Sequence, residues 1–367
     1  MPGQVKISKW QFFVISLGFL IGSSTLATLG TVAGQDAWIS QLIAGGLGIF
    51  AAALWLSLGN QFSEKLPAEY FQTLAGPVIG TLLSLVYVLF CLHLSALVIR
   101  NVTDAYLSTV FVETPGTVLV VAMASLAIIS VHLGVESFAR SAEIITPLVV
   151  VFVVLITVLT FLTPGLARYT SLLPMFERGL LPVLKGAFSA FAFPFGETVV
   201  MLSILPFVRG QYEAFPHVAG SIAVAAILLS LVAVRNITAL GSVGVRQALF
   251  PSLLSVQLIN IGSFIQRLDS AILFVWTFGS FIKSTTCVFA AALNLKVILK
   301  VRDHSILAFP IGSLAATLSV FLFRNTMEMV GFAEYVWPFY ALPVQIVLPA
   351  IMFILARLRA RRKSPSK

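Results

Sequence analysis

Uncharged, apolar stretches recur along most of the chain, separated by short polar or charged connections. Most of them are close to the length of about 20 residues that an α-helix needs to cross a bilayer. We predict ten membrane-spanning helices, numbered spans one to ten, over residues 10–35, 37–60, 76–99, 115–131, 144–163, 186–208, 214–234, 270–295, 305–323 and 335–356. The pattern therefore predicts an all-α polytopic membrane protein.

One further uncharged stretch, 247–266, differs from these spans in its polar content. Its polar side chains are Gln247, Ser252, Ser255, Gln257, Asn260, Ser263 and Gln266. So many polar groups are unfavourable on a helix that faces lipid, and Pro251 lies near the start of the stretch. We therefore predict a helical, amphipathic or re-entrant connection that lies against protein, rather than an eleventh span.

The distribution of Lys and Arg predicts the orientation. With ten spans both termini share one side, and that side carries more basic residues than the other. Its C-terminal tail, 357–367, holds Arg357, Arg359, Arg361, Arg362, Lys363 and Lys367. Because basic loops remain in the cytoplasm, both termini are predicted to be cytoplasmic. The net charge of +9 is explained in this way and gives no reason to expect a nucleic-acid partner.

Composition narrows the class of protein. Hydrophobic residues make up 59% of the 367 residues and charged residues only 10%, against about 25% in soluble domains. This excludes a soluble enzyme with a membrane anchor, a disordered protein and a disulfide scaffold. Cys91 and Cys287 lie in apolar runs and indicate no redox or metal site. No nucleophile, phosphate-binding or metal-ligand motif indicates an enzyme or a cofactor.

Spans one and six are both interrupted by small residues or proline near their centres. The interrupting residues are Gly18, Gly22, Ser23 and Ser24 in span one, and Pro194 and Gly196 in span six. Matched interruptions are typical of broken helices in inverted-repeat transporters, although glycine is also common in membrane helices generally. On the first interpretation the chain is a single transmembrane domain, 1–367, with repeats of about 8–163 and 183–358.

Two charged residues lie at mid-length in apolar spans, where a charge usually faces a cavity or a partner. Glu197 follows Pro194 and Gly196, which predict a break in the helix by removing an N–H and by permitting positive φ. Freed carbonyls and the carboxylate could hold an ammonium group or a cation; alternatively, a protonated Glu197 bridges two helices. Lys283 could pair with Glu197, replace a coupling cation or accept a proton; alternatively, it snorkels to an interface.

The run Gly22-Ser23-Ser24-Thr25 interrupts span one. A helix that restarts there would aim backbone N–H groups and a positive dipole end at an anion, such as the carboxylate of a ligand. The alternative is close helix packing by small residues, including the Gly18-x-x-x-Gly22 pattern. The residues themselves leave both interpretations open.

Other charged residues lie at the ends of spans. Asp36 precedes span two and is predicted to be its N-cap, and we keep it as a candidate gating residue. Arg100 and Asp104 lie four residues apart near the end of span three and could gate the outer mouth, or form a solvated ion pair. Glu136 and Arg140 have the same spacing and predict a surface pair on a helix.

Four segments resemble motifs of the spore germinant receptor B subunits, the spore germination permease family. The first two are Gly34-Gln35-Asp36-Ala37-Trp38-Ile39-Ser40, similar to a QDAW segment, and Gly134-Val135-Glu136-Ser137-Phe138-Ala139-Arg140, similar to a GxExxAR segment. The third is Phe193-Pro194-Phe195-Gly196-Glu197, similar to an FPFGE segment. The fourth is Gln266-Arg267-Leu268-Asp269-Ser270 followed by Trp276 and Phe281-Ile282-Lys283, similar to an ERLE/D…W…G…K segment. Their order and spacing match over nearly the whole length. The chain departs from the family at Gln266, where an acidic residue is common.

The resemblance implies a leucine-transporter-like fold within the amino acid–polyamine–organocation superfamily. It implies that spans one, three, six and eight line a central site, and that the connection 241–266 caps an outer vestibule. Carried over by position, Gly22, Ser23, Ser24 and Thr25 would meet a ligand carboxylate, and Phe193, Pro194, Gly196 and Glu197 would meet its amine. Lys283 would lie near the place where related transporters hold a cation.

The resemblance also implies a function. The chain would be a nutrient-sensing B subunit in the spore inner membrane, acting with an A subunit and a lipoprotein C subunit. Its ligand would be a small nutrient, an amino acid above all. The alternative is a secondary amino-acid transporter, proton-coupled through Glu197 or Lys283, because one fold can serve both functions.

Overall fold

The computed structural model describes residues 6–26, 30–261, 265–266 and 268–363. Nearly all of these residues are helical. The side chain of Gln266 and the whole of Arg267 lie outside the described residues. The departure from the family motif at Gln266 therefore lies outside the described side chains.

The first half of the chain forms six α-helices. They are α1 Lys9–Ile21, α2 Ala37–Gly59, α3 Pro67–Ala75, α4 Pro77–Leu107, α5 Gly116–Leu133 and α6 Val135–Leu162. Short 3-10 helices join or extend them at Ser23–Thr25, Thr31–Asp36, Asn60–Phe62 and Tyr169–Leu172.

The second half contains eight more α-helices. They are α7 Leu180–Ala190, α8 Phe215–Gln247, α9 Pro251–Gln257, α10 Asp269–Leu299, α11 Ser305–Phe321, α12 Thr326–Gly331, α13 Trp337–Leu342 and α14 Leu348–Lys363. The 3-10 helices here are Gly196–Ser203, Leu205–Phe207 and Gln211–Glu213, and the π-helical segments are Phe191–Phe195, Phe332–Val336 and Pro343–Val347.

Among the described residues, eight helical segments are long and apolar enough to cross a membrane. They are Thr31–Phe62, Pro77–Leu107, Gly116–Leu133, Val135–Leu162, Leu180–Ser203, Gln211–Gln247, Asp269–Leu299 and Thr326–Ala360. Two of the ten predicted spans are represented by shorter helices. Span nine corresponds to α11, with 17 residues, and span one to α1, with 13 residues before its interruption.

The stretch 247–266 does not form a spanning helix, as the prediction required. It contains the short helix α9 and two short strands, β1 Asn260–Ile261 and β2 Ile265–Gln266. The strands pair antiparallel, with Asn260 opposite Gln266 and Ile261 opposite Ile265. Both serines of α9, Ser252 and Ser255, are fully buried against protein. Gln247, Gln257 and Asn260 are exposed, so only part of the polar content of this connection faces protein.

Helix α3 was not anticipated from the apolar pattern, because it is short and lies between spans two and three. Pro67 occupies its first turn, and the Glu69 carboxylate accepts a hydrogen bond from the Leu66 N–H at 2.6 Å. Its start is attached to α10 by Asn294, whose Oδ1 accepts from the Ala68 N–H at 2.9 Å. The side-chain amide of Asn294 also donates to Ser203 Oγ at 2.8 Å.

Helix α10, which is span eight, forms the centre of the core. It packs on α4, α6, α5 and α1, and it carries the longest series of consecutive buried residues, Gly279 to Asn294. Because this helix is surrounded by protein along most of its length, its one mid-span cation, Lys283, is held inside the bundle. The structure therefore excludes snorkelling of Lys283 to an interface, since its side chain is 0% exposed.

Candidate functional site

The break in span one lies where the serine-rich run predicted it. Helix α1 ends at Ile21, and Gly22 departs from helical geometry with φ −44° and ψ −101°. Ser23, Ser24 and Thr25 then form a single 3-10 turn, in which the Thr25 hydroxyl donates to the Gly22 carbonyl at 3.2 Å. The hydroxyls of Ser23 and Ser24 are buried and have no hydrogen-bond partner among the described residues.

The break in span six was predicted correctly in position but through the wrong residue. Gly196 was expected to use positive φ, yet it is right-handed helical at φ −67° and ψ −26°. Phe193 makes the break instead, with an extended conformation of φ −142° and ψ 111°. A Cβ on Gly196 would lie 2.3 Å from Gln345 Oε1, so any larger residue there would displace the Gln345 side chain.

The backbone carbonyl of Ala192, at this break, is not open to a ligand. It accepts one hydrogen bond from Trp337 Nε1 at 3.1 Å and another from Gln345 Nε2 at 2.8 Å. Both donors come from span ten. The expectation that freed carbonyls would help to hold a cation is therefore wrong for Ala192, since side chains of the protein already satisfy that group.

Glu197 and Lys283 form an ion pair in the middle of the protein. Lys283 Nζ lies 2.5 Å from Glu197 Oε2, and both side chains are fully buried. The same ammonium lies 4.2 Å from the ring centroid of Phe193 and 5.1 Å from that of Phe19. Of the alternatives for Lys283, the structure therefore shows pairing with Glu197. The ammonium lies in a cage formed by the Glu197 carboxylate and the rings of Phe19 and Phe193.

Phe19 was not anticipated as part of this cage. It belongs to α1, one turn before the break at Gly22, and its side chain is completely buried. In the sequence it is one of 30 phenylalanines and lies in an apolar run, so nothing local distinguishes it. Only the crossing of α1 with α10 brings its ring to the ammonium.

Further hydroxyls without partners lie near the break in span one. Ser280 follows Gly279, and a Cβ on Gly22 would lie 2.5 Å from the Gly279 carbonyl oxygen. The Ser280 hydroxyl, and that of Thr285 further along α10, are buried and have no hydrogen-bond partner among the described residues, like those of Ser23 and Ser24. Such groups are costly unless something else binds them, so this region can accept a polar ligand or water.

Arg100 and Asp104 are paired, but they are not the solvated pair of the simpler interpretation. Arg100 Nε lies 2.8 Å from Asp104 Oδ1, and the two side chains are only 14% and 7% exposed. The Arg100 guanidinium also donates to the carbonyl of Phe323 at 3.1 Å, and Asp104 accepts from the Thr326 hydroxyl at 3.0 Å. The pair thus ties span three to the connection between spans nine and ten.

Asp36 is buried and occupies the N-cap position of α2, as predicted, but its side chain does not cap the helix. Its side chain makes no capping hydrogen bond to α2; its Oδ2 accepts from the Phe176 N–H at 2.9 Å. The neighbouring Gln35 amide donates to the Pro174 carbonyl and to the Glu177 carboxylate, each at 2.9 Å. Both residues therefore hold the 174–177 connection, a long-range contact that a local pattern cannot reveal.

Glu136 and Arg140 behave as predicted. They form a surface pair in the first turns of α6, with Arg140 Nη2 2.7 Å from Glu136 Oε1 and side chains 48% and 71% exposed. The segment that resembles the family's GxExxAR motif is thus helical from Val135 onwards.

A cavity of about 480 Å³ lies at one end of the bundle, away from the central pair. Glu64, Glu69, Glu136, Lys296 and His304 contribute to its walls, and none of the candidate ligand-binding residues does. Burial lowers the pKa of His304, an effect that the nearby Asp303 carboxylate opposes. The central site is therefore separate from this cavity, and its ammonium position is occupied by Lys283.

Comparison with known proteins agrees with the four motifs. Residues 6–328 match the family described as spore germination protein. Spore germination protein KB of Bacillus subtilis (strain 168) is 28% identical over 366 residues, covering 99% of this chain and 98% of the relative. Spore germination protein YndE of the same strain is 24% identical over 305 residues, covering 82% and 83%.

A solved structure gives the fold. It is the substrate-bound outward-open state of a Na+-coupled sialic acid symporter, similar with a TM-score of 0.69 over 100% of this chain and 92% of that chain. At 13% identity the likeness concerns architecture alone: a leucine-transporter-like fold, as predicted. Together with the match over residues 6–328, it shows that this chain is an integral membrane protein that belongs to the spore germination permease family.

Proposed function

We propose that the protein is a nutrient-sensing membrane subunit of a spore germinant receptor. It binds a small ligand, an amino acid, at mid-membrane between broken spans one and six and spans three and eight. The observation that carries this proposal is the buried pair of Glu197 and Lys283 at the break of span six. Buried charges within a membrane are costly and are characteristic of substrate and ion sites.

The amine of the ligand would bind on the span-six side. A carboxylate beside aromatic faces is suited to an ammonium group, and Lys283 supplies such a group from within the chain. The ammonium of an amino acid would take its place against Glu197 and Phe193, and Lys283 would move away. Pro194 and Gly196 shape the backbone there, and ligand entry requires a rearrangement of this packed centre.

The carboxylate of the ligand would bind on the span-one side. Ser23 and Ser24 offer buried hydroxyls without partners, beside Gly22 and Thr25 at the end of α1. Hydroxyl donors of this kind can bind a carboxylate without a full counter-charge. Amine and carboxylate recognition on two broken helices would select amino acids by both groups at once.

Signalling would follow from two conformations of the bundle. A ligand shifts an equilibrium only by as much as its affinities for the two states differ. The state with Lys283 on Glu197 would be the resting state, and the state with a ligand ammonium on Glu197 the active one. Arg100, Asp104 and Asp36 would then act as gating contacts at the outer mouth, and receptor A and C subunits would detect the change.

The proposed receptor subunit has a defined membrane location and a defined orientation. The protein would lie in the spore inner membrane with both termini in the cytoplasm, as the basic tail indicates. Its single transmembrane domain would consist of two repeats, about 8–163 and 183–358. No catalytic step, cofactor or resident metal enters this function.

A second candidate is a proton-coupled amino-acid transporter. The observation that favours it is the shared architecture with a solute symporter. In that case Glu197 or Lys283 would gain and lose a proton during each cycle. The residues of the site would be the same, and only the consequence of binding would differ.

Two assays on the full-length protein separate these functions. Spores that lack the gene would be complemented with the wild type and tested for germination with single amino acids, and the purified protein would be tested for amino-acid uptake in proteoliposomes with a pH gradient. A receptor restores germination without net uptake, and a transporter takes up substrate only when the gradient is imposed. If deletion leaves germination with every nutrient unchanged and no amino acid is taken up, both proposals are wrong.

A further inference from the structure

Arg235 is a buried cation outside the site described above. It lies in α8, and only 1% of its surface is exposed. Its guanidinium donates to Asn236 Oδ1 from Nε at 3.1 Å and from Nη2 at 2.9 Å. The acceptor is a neutral amide, so it satisfies two N–H groups without neutralising the charge.

Arg235 has no carboxylate partner. The described residues include all 14 Asp and Glu of the chain, and none of them places an oxygen within 4.0 Å of the Arg235 guanidinium. The interior cations Lys283 and Arg100 are each paired with an acid in the same part of the structure. Arg235 therefore differs from Lys283 and Arg100 in having no acidic partner.

One hydroxyl beside Arg235, that of Ser252, has a hydrogen that no described residue accepts. Asn236 Oδ1 also accepts from the Ser255 hydroxyl at 2.8 Å, and its Nδ2 donates to Ser252 Oγ at 3.1 Å. The hydroxyl hydrogen of Ser252 is used in no hydrogen bond among the described residues, and both serines are fully buried. A positive charge beside an unused hydroxyl donor is complementary to an anion.

The buried charge of Arg235 is also costly in free energy. An arginine stays protonated in proteins, so burial cannot be relieved by loss of its proton. An unpaired buried charge is strongly destabilising, whereas a hydrogen-bonded counter-ion offsets much of that cost. Since the chain supplies no acid at this place, an anion from outside the chain would offset that cost.

We propose that Arg235, together with the Ser252 hydroxyl, forms a binding site for a small monovalent anion, either the carboxylate of an organic molecule or a halide. The site lies between α8 and α9, six residues before the kink of α8 at Gly241 (φ 73°). None of its hydrogen bonds involves Glu197 or Lys283, so it is independent of the proposed nutrient site.

The test uses purified full-length protein in a buffer whose only anion is a bulky sulfonate. The thermal unfolding midpoint is followed while sodium chloride or sodium acetate is added, at an ionic strength held constant with the sulfonate salt. The wild type should show a saturable rise of about 2–4 °C with at least one of these anions. Arg235→Gln should remove the rise, whereas Arg140→Gln, the same change at an exposed arginine, should retain it.

A rise with chloride alone identifies the anion as a halide, and a rise with acetate alone identifies it as a carboxylate. Arg235→Lys keeps the charge but loses the fork of donors, so its half-saturating concentration should increase at least several-fold. If Arg235→Gln cannot be purified, the wild-type titration and Arg235→Lys decide. The proposal is overturned if the wild type responds to neither anion, or if an Arg235 variant titrates like the wild type.

Discussion

Gly22 and Gly279 lie in direct backbone contact where broken span one crosses α10. A Cβ built on Gly22 would lie 2.5 Å from the Gly279 carbonyl oxygen, and one on Gly279 would lie 2.5 Å from the Gly22 Cα. Neither position needs positive φ, so space and not conformational freedom requires glycine. The contact sets the end of α1 beside the helix that carries Lys283.

Alanine at either glycine should destabilise the protein. Gly22→Ala or Gly279→Ala places a methyl group against backbone, and such overpacking costs about 1–3 kcal/mol. The measurement is the thermal unfolding midpoint in detergent. The matched control is Gly46→Ala in α2, where a Cβ meets nothing within 4 Å. A wild-type midpoint for Gly279→Ala would contradict the close crossing.

The Glu197–Lys283 pair should be strongly coupled in stability. Glu197→Gln or Lys283→Met alone leaves a buried charge without its partner, at a cost of about 3–5 kcal/mol. The double variant, which removes both charges, should lose clearly less than the sum of the two single changes. Denaturation of all four proteins provides the cycle. Additive losses would show that the two side chains do not interact in the folded protein.

The two pairs with four-residue spacing should differ in importance. Asp104→Asn weakens a nearly buried pair that holds Arg100 near Phe323 and accepts from Thr326, and it should lower the unfolding midpoint measurably. Glu136→Gln changes an exposed pair in water and should alter the midpoint little. Equal effects of the two substitutions would argue that Asp104 contributes no more than a surface charge.

The orientation can be tested by cysteine labelling, because Cys91 and Cys287 are buried and should not react. Thr170→Cys lies in an exposed turn between spans five and six, and Ser63→Cys in an exposed turn between spans two and three. A membrane-impermeant maleimide added to intact cells should label the cysteine at 170 and spare the one at 63. The reverse pattern would place the termini outside.

Much of this fold could be predicted from the sequence, because the thickness of the bilayer determines the length of the apolar segments that span it. Because charged residues are scarce in this chain, Glu197 and Lys283 could be recognised as unusual at mid-span. The structure brings the two side chains together. The breaks at Gly22 and near Pro194 were also predictable, since proline and runs of small residues interrupt helices. The extended conformation of Phe193, rather than of Gly196, was not predictable, because a local pattern shows where a helix is interrupted but not which residue's backbone departs from it.

Long-range contacts account for what the sequence did not reveal. Asp36 looked like a cap because only its local position was known, yet it holds Phe176, 140 residues away. Phe19 joins the ammonium cage only through the helix crossing. Arg235 counted in the sequence merely as one of the basic residues that set orientation, and its burial without an acid became evident in the folded bundle.

The central claim is that Glu197 is the ammonium-binding group of a nutrient site, and ligand binding tests it most directly. Purified wild-type protein would be screened by thermal shift against the amino acids and a set of sugars. We predict that at least one amino acid raises the wild-type midpoint, that Glu197→Gln loses this response, and that Glu136→Gln keeps it. An amino-acid shift of equal size in Glu197→Gln would contradict the account.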